Sequence, residues 1–171
     1  NPTATVAAVS NQTYCNGATA AATSLSGHVS GTTFTWTNNN TAIGLAASGS
    51  GSVPTFTAAN GTTAPVTATI TITPTPHGST RTPSTYIIPV NPTATVTAVS
   101  NQTYCNGATA AATSLSGPVS GTTFTWTNSN TAIGLAASGS DNIPTFTAAN
   151  GTTAPITATI TITPTANGCT G

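Results

Sequence analysis

From Val66 to Thr73 the chain reads VTATITIT, an unbroken alternation of apolar and hydroxyl residues. Successive side chains of a strand point to opposite faces, so Val66, Ala68, Ile70 and Ile72 share one side and Thr67, Thr69, Thr71 and Thr73 the other. One face is core and the other a row of hydroxyls. The segment Thr32 to Thr37 (TTFTWT) repeats the pattern with Phe34 and Trp36 on one face, opposite Thr33, Thr35 and Thr37. Further strands are predicted over Thr3 to Val9, Ala20 to Ser26, Pro54 to Ala58 and Thr85 to Val90, with a short crossing segment from Ile43 to Ala46. Each is bounded by Gly, Asn, Ser or Pro, and nothing holds a helical period for more than a turn. The expectation is an all-β sandwich with Phe34 and Trp36 in its core.

The whole pattern occurs twice. Asn1 to Arg81 and Asn91 to Gly171 align without a gap at an offset of ninety, differing at about ten positions. That period exceeds a solenoid repeat and suits a small β domain, so two tandem domains are expected, 1–90 and 91–171. Phe124 and Trp126 are the second pair of core aromatics. The copies differ most at their ends. The first closes with Thr85 to Val90, whereas the second reaches Gly171 with no counterpart of that strand. Tyr86, Ile88 and Val90 would each contribute about 1.5 to 3 kcal/mol on burial, so their absence must be made good. Either the polypeptide is an excerpt of a longer array, or another subunit adds a strand at the open edge in a head-to-tail fibre. A third option is a subunit that tolerates the open edge. Pro83, Pro89 and Pro92 in the stretch Thr80 to Pro92 are expected to stiffen the connection between the copies.

Composition narrows the function. Arg81 and Asp141 are the only charged side chains, with His28 and His77 beside them. Such a surface has little electrostatic repulsion and favours association with copies of itself. It also lacks the basic patch that nucleic-acid binding requires. No 18-residue apolar run is present to span a membrane, and Asn1 already begins the repeat, as in a mature or excised piece.

General acid-base work needs positioned titratable groups, and Asp141 stands alone, with Gly51 at its place in the first copy. His28 aligns with Pro118 and His77 with Asn167, so neither belongs to a shared design. No catalytic residue, cofactor or metal site is expected, and the histidines and Arg81 read as solvated loop residues. Asn16-Gly17, the run Asn38 to Asn40 and Asn60-Gly61 read as turns. Asn11, Asn39, Asn60, Asn101 and Asn150 match the acceptor pattern for N-linked glycans, while the many Thr and Ser residues suit O-linked sugar. The Thr rows also admit a flat ice- or glycan-binding face, against ordinary β-propensity.

The segments NPTATV, NQTYCNG, FTWTNNNTAIGLAASG, PTFTAANGTTAPVTATITITPT and ANGCTG resemble the PKD-like, immunoglobulin-like repeats of long secreted surface proteins of Bacteroidota. The resemblance covers both copies nearly end to end. It implies an extracellular, cell-surface β-sandwich serving as spacer or adhesin stalk, with no catalytic residue. It also implies that CNG and GC within one repeat join, making Cys105–Cys169 the disulfide, worth about 4 kcal/mol by chain entropy. Cys15, whose repeat has Ser79 in place of a second cysteine, is then left as a free thiol or an intersubunit link.

Overall fold

The computed structural model describes residues 3–75 and 81–171, so His77 and Ser79 lie outside the described residues. It is almost entirely β and sandwich-like, and it separates into two compact units, Asn1–Pro92 and Thr93–Gly171.

In the first unit the strands are β1 (Tyr14–Cys15), β2 (Thr19–Ala20), β3 (Thr33–Asn38), β4 (Ser48–Ser50), β5 (Phe56–Thr57), β6 (Val66–Thr75) and β7 (Ser84–Asn91). A five-stranded sheet has the order β1-β7-β6-β3-β4, with a small β2-β5 pair beside it. Only the β1–β7 contact is parallel; the others are antiparallel. The expected faces are the observed ones. Ala68, Ile70 and Ile72 of β6 are fully buried, and Phe34, Trp36, Tyr86, Ile88 and Val90 complete the sheet's inner face against Ile43, Leu45 and Val53. Trp36 pairs with Gly49, and a Cβ at that position would fall inside contact distance of the indole, which is why a glycine flanks it.

Three expectations shift. The segment from Thr3 to Val9 forms no strand: Ala4 bridges to Arg81 and Ala7 N donates to Ser26 O, so it runs alongside the sheet rather than within it. The crossing segment at Ile43 opens as a 3-10 turn, Thr41–Ile43, capped by the Asn40 side chain and by Gly44 at φ 93°. The strand predicted over Thr85 to Val90 is β7, which pairs with β6 from Ser84↔Ile72 to Val90↔Val66, so Pro89 lies within a sheet strand and not in a connection between the copies, and Pro92 is buried. Its apolar alternation outweighs its prolines, because Pro89 sits opposite Thr67 where β1 does not reach.

The second unit contains β8 (Thr109–Ala110), β9 (Thr123–Asn128), β10 (Ser138–Ser140), β11 (Phe146–Thr147), β12 (Ile160–Ala166) and β13 (Cys169–Thr170). Its main sheet is β10-β9-β12-β13, with a β8-β11 pair. Phe124 and Trp126 are buried like their counterparts, and Trp126 again faces Gly139. The sheet has no equivalent of β7. Two further losses follow from that one. Residues 156–159, aligned with the first four of β6, have no neighbour to pair with and are not strand; nor is Tyr104–Cys105, aligned with β1. β13 covers only the Thr165–Ala166 end of the β12 edge, reached through a tight turn with Asn167 at φ 51° and Gly168 at φ 77°. Those angles and the two-residue length make it a type I′ hairpin, signalled in the sequence by Asn-Gly.

Candidate functional site

The candidate site is the groove that the second unit leaves open, and the first unit shows what such a groove holds. There β7 is fixed by its ladder to β6 and by four bonds to loops. Ile87 N donates to Asn11 Oδ1 at 2.9 Å, and Gln12 N donates to Ile87 O at 3.2 Å. Asn16 N donates to Asn91 O at 2.8 Å, and Asn60 Nδ2 donates to Val90 O at 2.7 Å. The matching groups of the second unit are Asn101 Oδ1, Gln102 N, Asn106 N and Asn150 Nδ2, and none makes such a bond. Asn150 Nδ2 keeps only its bond to Ala154 O, at 2.9 Å.

The apolar lining tells the same story. An open groove of about 790 Å³ is walled by Tyr104, Leu135, Ile143, Phe146, Ile160 and Ile162. Ile160 and Ile162 are half-exposed, whereas Ile70 and Ile72 beneath β7 are fully buried. Tyr104 is 37% exposed, and Val99, which also lines the groove, is 39%.

The walls nonetheless hold their shape. Tyr104 meets Phe146 edge-on at 6.2 Å and 74°, the same geometry as Tyr14 against Phe56. Asn150 N donates to Asn106 Oδ1 at 2.9 Å, as Asn60 N does to Asn16 Oδ1 at 2.8 Å. Gly107 N reaches Ala148 O at 2.7 Å, matching Gly17 to Ala58. Tyr104 OH donates to Gln102 Oε1, as Tyr14 OH does to Gln12 Oε1.

Buried asparagines set the loops around the sheet. Asn38 Nδ2 donates to Leu45 O and Ala46 O at 3.0 and 3.3 Å, and its Oδ1 accepts from Asn40 N; Asn128 does the same with Leu135 and Ala136. Sequence reading took Asn38 for a turn residue and missed this role; its place next in the TTFTWT alternation, on the Trp36 face, was the available signal. Asn60 needs a correction. It is only 3% exposed, with Nδ2 committed to Ala64 O and Val90 O, so no amide hydrogen is presented for glycosylation. Asn11, Asn39 and Asn101 are exposed, and Asn150 is half-buried.

The cysteines also depart from expectation. Cys105 is a free, exposed thiol, whereas Cys15 and Cys169 are disulfide-bonded. Register explains why Cys105 and Cys169 do not join. In the first unit Cys15 pairs with Asn91, one residue past the Val90–Val66 pair at the start of β6, so the matching place of Cys105 is level with the start of the copied run at residue 156, two strand positions away across the sheet. Cys169 pairs with Ala166, ten residues further along the same strand. At about 3.3 Å per residue that is on the order of 30 Å, against the roughly 7 Å limit between Cα atoms for a disulfide.

The ionisable groups stay apart. Asp141 is exposed in a turn at φ 61°, where Gly51 stands in the first unit at φ 71°, and its N–H donates to Phe124 O. His28 and Arg81 are exposed. Among the described residues no three His, Cys, Asp or Glu side chains gather to hold a metal, and no helix is long and apolar enough to cross a membrane. No protein-family model matches this chain, and no curated protein matches it.

Proposed function

We propose that the chain is a pair of immunoglobulin-like, PKD-like β-sandwich repeats, occupying 1–90 and 91–171, from an extracellular surface fibre or adhesin stalk. It is non-catalytic and assembles with copies of itself or within a longer tandem array. The observation that carries this reading is the duplication in the fold: each unit buries the same Phe and Trp pair on its own sheet, Phe34 and Trp36 in the first and Phe124 and Trp126 in the second. Compact β units of nearly identical sequence joined in series are the form of a spacer or stalk. The nearly charge-free composition adds little repulsion against close packing, and glycans on exposed Thr, Ser or Asn would supply solubility.

Electron microscopy combined with intact mass of native material tests the reading. Filaments built from the 16.6 kDa chain, or from a far larger chain containing it, are the expected result. A dispersed monomer with saturable affinity for a small glycan and no filaments would sink it.

One observation favours a second reading. Thr33, Thr35 and Thr37 of β3 stand opposite Thr75, Thr73 and Thr71 of β6, an in-register array of hydroxyls and methyls suited to ice or glycan. Thermal hysteresis or glycan-array binding that disappears on Thr35→Lys would establish it.

A further inference from the structure

Resting on the extracellular reading above, we infer that Asn11 and Asn39 are paired sites of N-linked glycosylation, whose saccharides close over the exposed Ile87 between them. Both asparagines precede x-Thr, in Asn11-Gln12-Thr13 and Asn39-Asn40-Thr41. They are distant in sequence, and the fold brings them to opposite ends of one rung of the first unit's main sheet. Thr69 N donates to Asn39 Oδ1 at 2.7 Å, Thr69 pairs with Ile87 across β6 and β7, and Ile87 N donates to Asn11 Oδ1 at 2.9 Å. With neighbouring strands about 4.8 Å apart, the row from Asn39 through Thr69 and Ile87 to Asn11 spans on the order of 14 Å.

At both positions the fold uses the amide oxygen and leaves the nitrogen spare. Both residues are exposed, and among the described residues neither Nδ2 donates a hydrogen bond. Linkage to sugar replaces one Nδ2 hydrogen and keeps Oδ1 as an acceptor, so the bond to the sheet survives. The second unit shows that an oxygen is all the sheet requires at Asn39. Its counterpart there, Ser129, has no amide and accepts from Thr159 N through Oγ at 2.8 Å. Asn60 is the opposite case, with Nδ2 committed to Ala64 O and Val90 O. The transfer takes a diphosphate-activated saccharide and its transferase. Nδ2 bonds to the sugar C1 as the bond from C1 to the diphosphate oxygen breaks; the diphosphate leaves with the electron pair, and the amide proton passes to a base of the transferase.

Ile87 supplies a separate reason for sugar at this place. It is 38% exposed, and no other large apolar side chain among the described residues of the first unit is so open. It stands opposite Thr69 on the outward, Thr-bearing face. A pyranose ring has an apolar C–H face as well as hydroxyls, so saccharides rooted on either side cover Ile87 and present polar groups to solvent. In a chain whose only Lys, Arg, Asp or Glu side chains are Arg81 and Asp141, that cover replaces the solubility that charge would give.

Glycopeptide mass spectrometry of native material, fragmented by electron transfer so that sugars stay on their residues, tests the sites. The expected result is saccharide on Asn11 and Asn39 with Asn60 bare; a bare Asn11, a bare Asn39 or sugar on Asn60 would overturn the assignment. The cover is tested by hydroxyl-radical footprinting read at Ile87. Oxidation there should be several-fold lower in native material than in the full chain made without glycosylation and held in the same assembly state, and equal oxidation would refute it. Asn39→Ser in that bare chain should melt as the wild type does, since Ser129 fills the same place; a folding defect would show that the sheet needs the amide and would also count against the proposal. Filaments seen with either site bare would leave the fibre reading standing and remove only the glycans.

Discussion

Tyr86 concentrates the difference between the units in one side chain. Burial raises its phenol above the ordinary value of 10.0, with Tyr14 adding to the shift; Thr23 lies near enough to oppose it but outside hydrogen-bond geometry, so the hydroxyl is buried unpartnered. A raised phenol pKa means that the fold prefers the neutral form. The contribution of Tyr86 is therefore intact below about pH 10 and is lost as the pH rises from there through the raised value. Tyr86→Phe should be neutral or slightly stabilising at pH 8, since the hydroxyl makes no bond, and should gain on the wild type progressively above pH 10. Urea midpoints by circular dichroism at pH 8, 10 and 11 measure this, and a constant gap between the two proteins would refute it. The cysteines give a second prediction at this scale. Without reductant, iodoacetamide should label one thiol per chain, at Cys105; Cys15 and Cys169 should react only after reduction and denaturation. Labelling at Cys15 instead would contradict the assignment. Spacing could not have revealed it, because the obstacle to Cys105–Cys169 is that their places along the sheet lie about ten residues apart in an extended segment, β12 and the residues before it.

At the scale of elements, β6 and its copy carry nearly the same sequence, VTATITIT against ITATITIT, yet only β6 is strand throughout. What differs is the neighbour. Hydrogen exchange should report the difference directly: amides in 156–162 should exchange at least tenfold faster than those in 66–72, because the first set forms an open edge. Similar protection of both sets would mean that something already closes the second groove. Asn60 and Asn150 extend the comparison. Asn60→Ala strands a buried carbonyl at Val90 and should cost about 1 to 3 kcal/mol, whereas Asn150→Ala loses only exposed bonds and should cost well under half of that. The strong elements were legible in the sequence, β3, β6 and β7 to within two residues, since each is a long period-two run. The segment from Thr3 to Val9 was not, because alternation alone does not say whether a neighbouring strand is in reach.

For the whole molecule, sequence alone determined the all-β class, the duplication, the core aromatics and the near absence of charge. These are local or additive properties: a period of two fixes which side chains share a face, and charge is a sum over residues. Tertiary structure decided which faces are covered. It set Pro89 within a paired strand, took Asn60 out of the surface by bonding its amide to that strand, and placed Cys105 and Cys169 at opposite ends of one edge. Each outcome depends on pairing between residues distant in sequence, where a register, not a composition, sets the distance. The open groove belongs to both levels. Its missing strand can be counted in the sequence, but that its walls stay formed, with unmet donors and acceptors matching those β7 satisfies, is a property only of the fold.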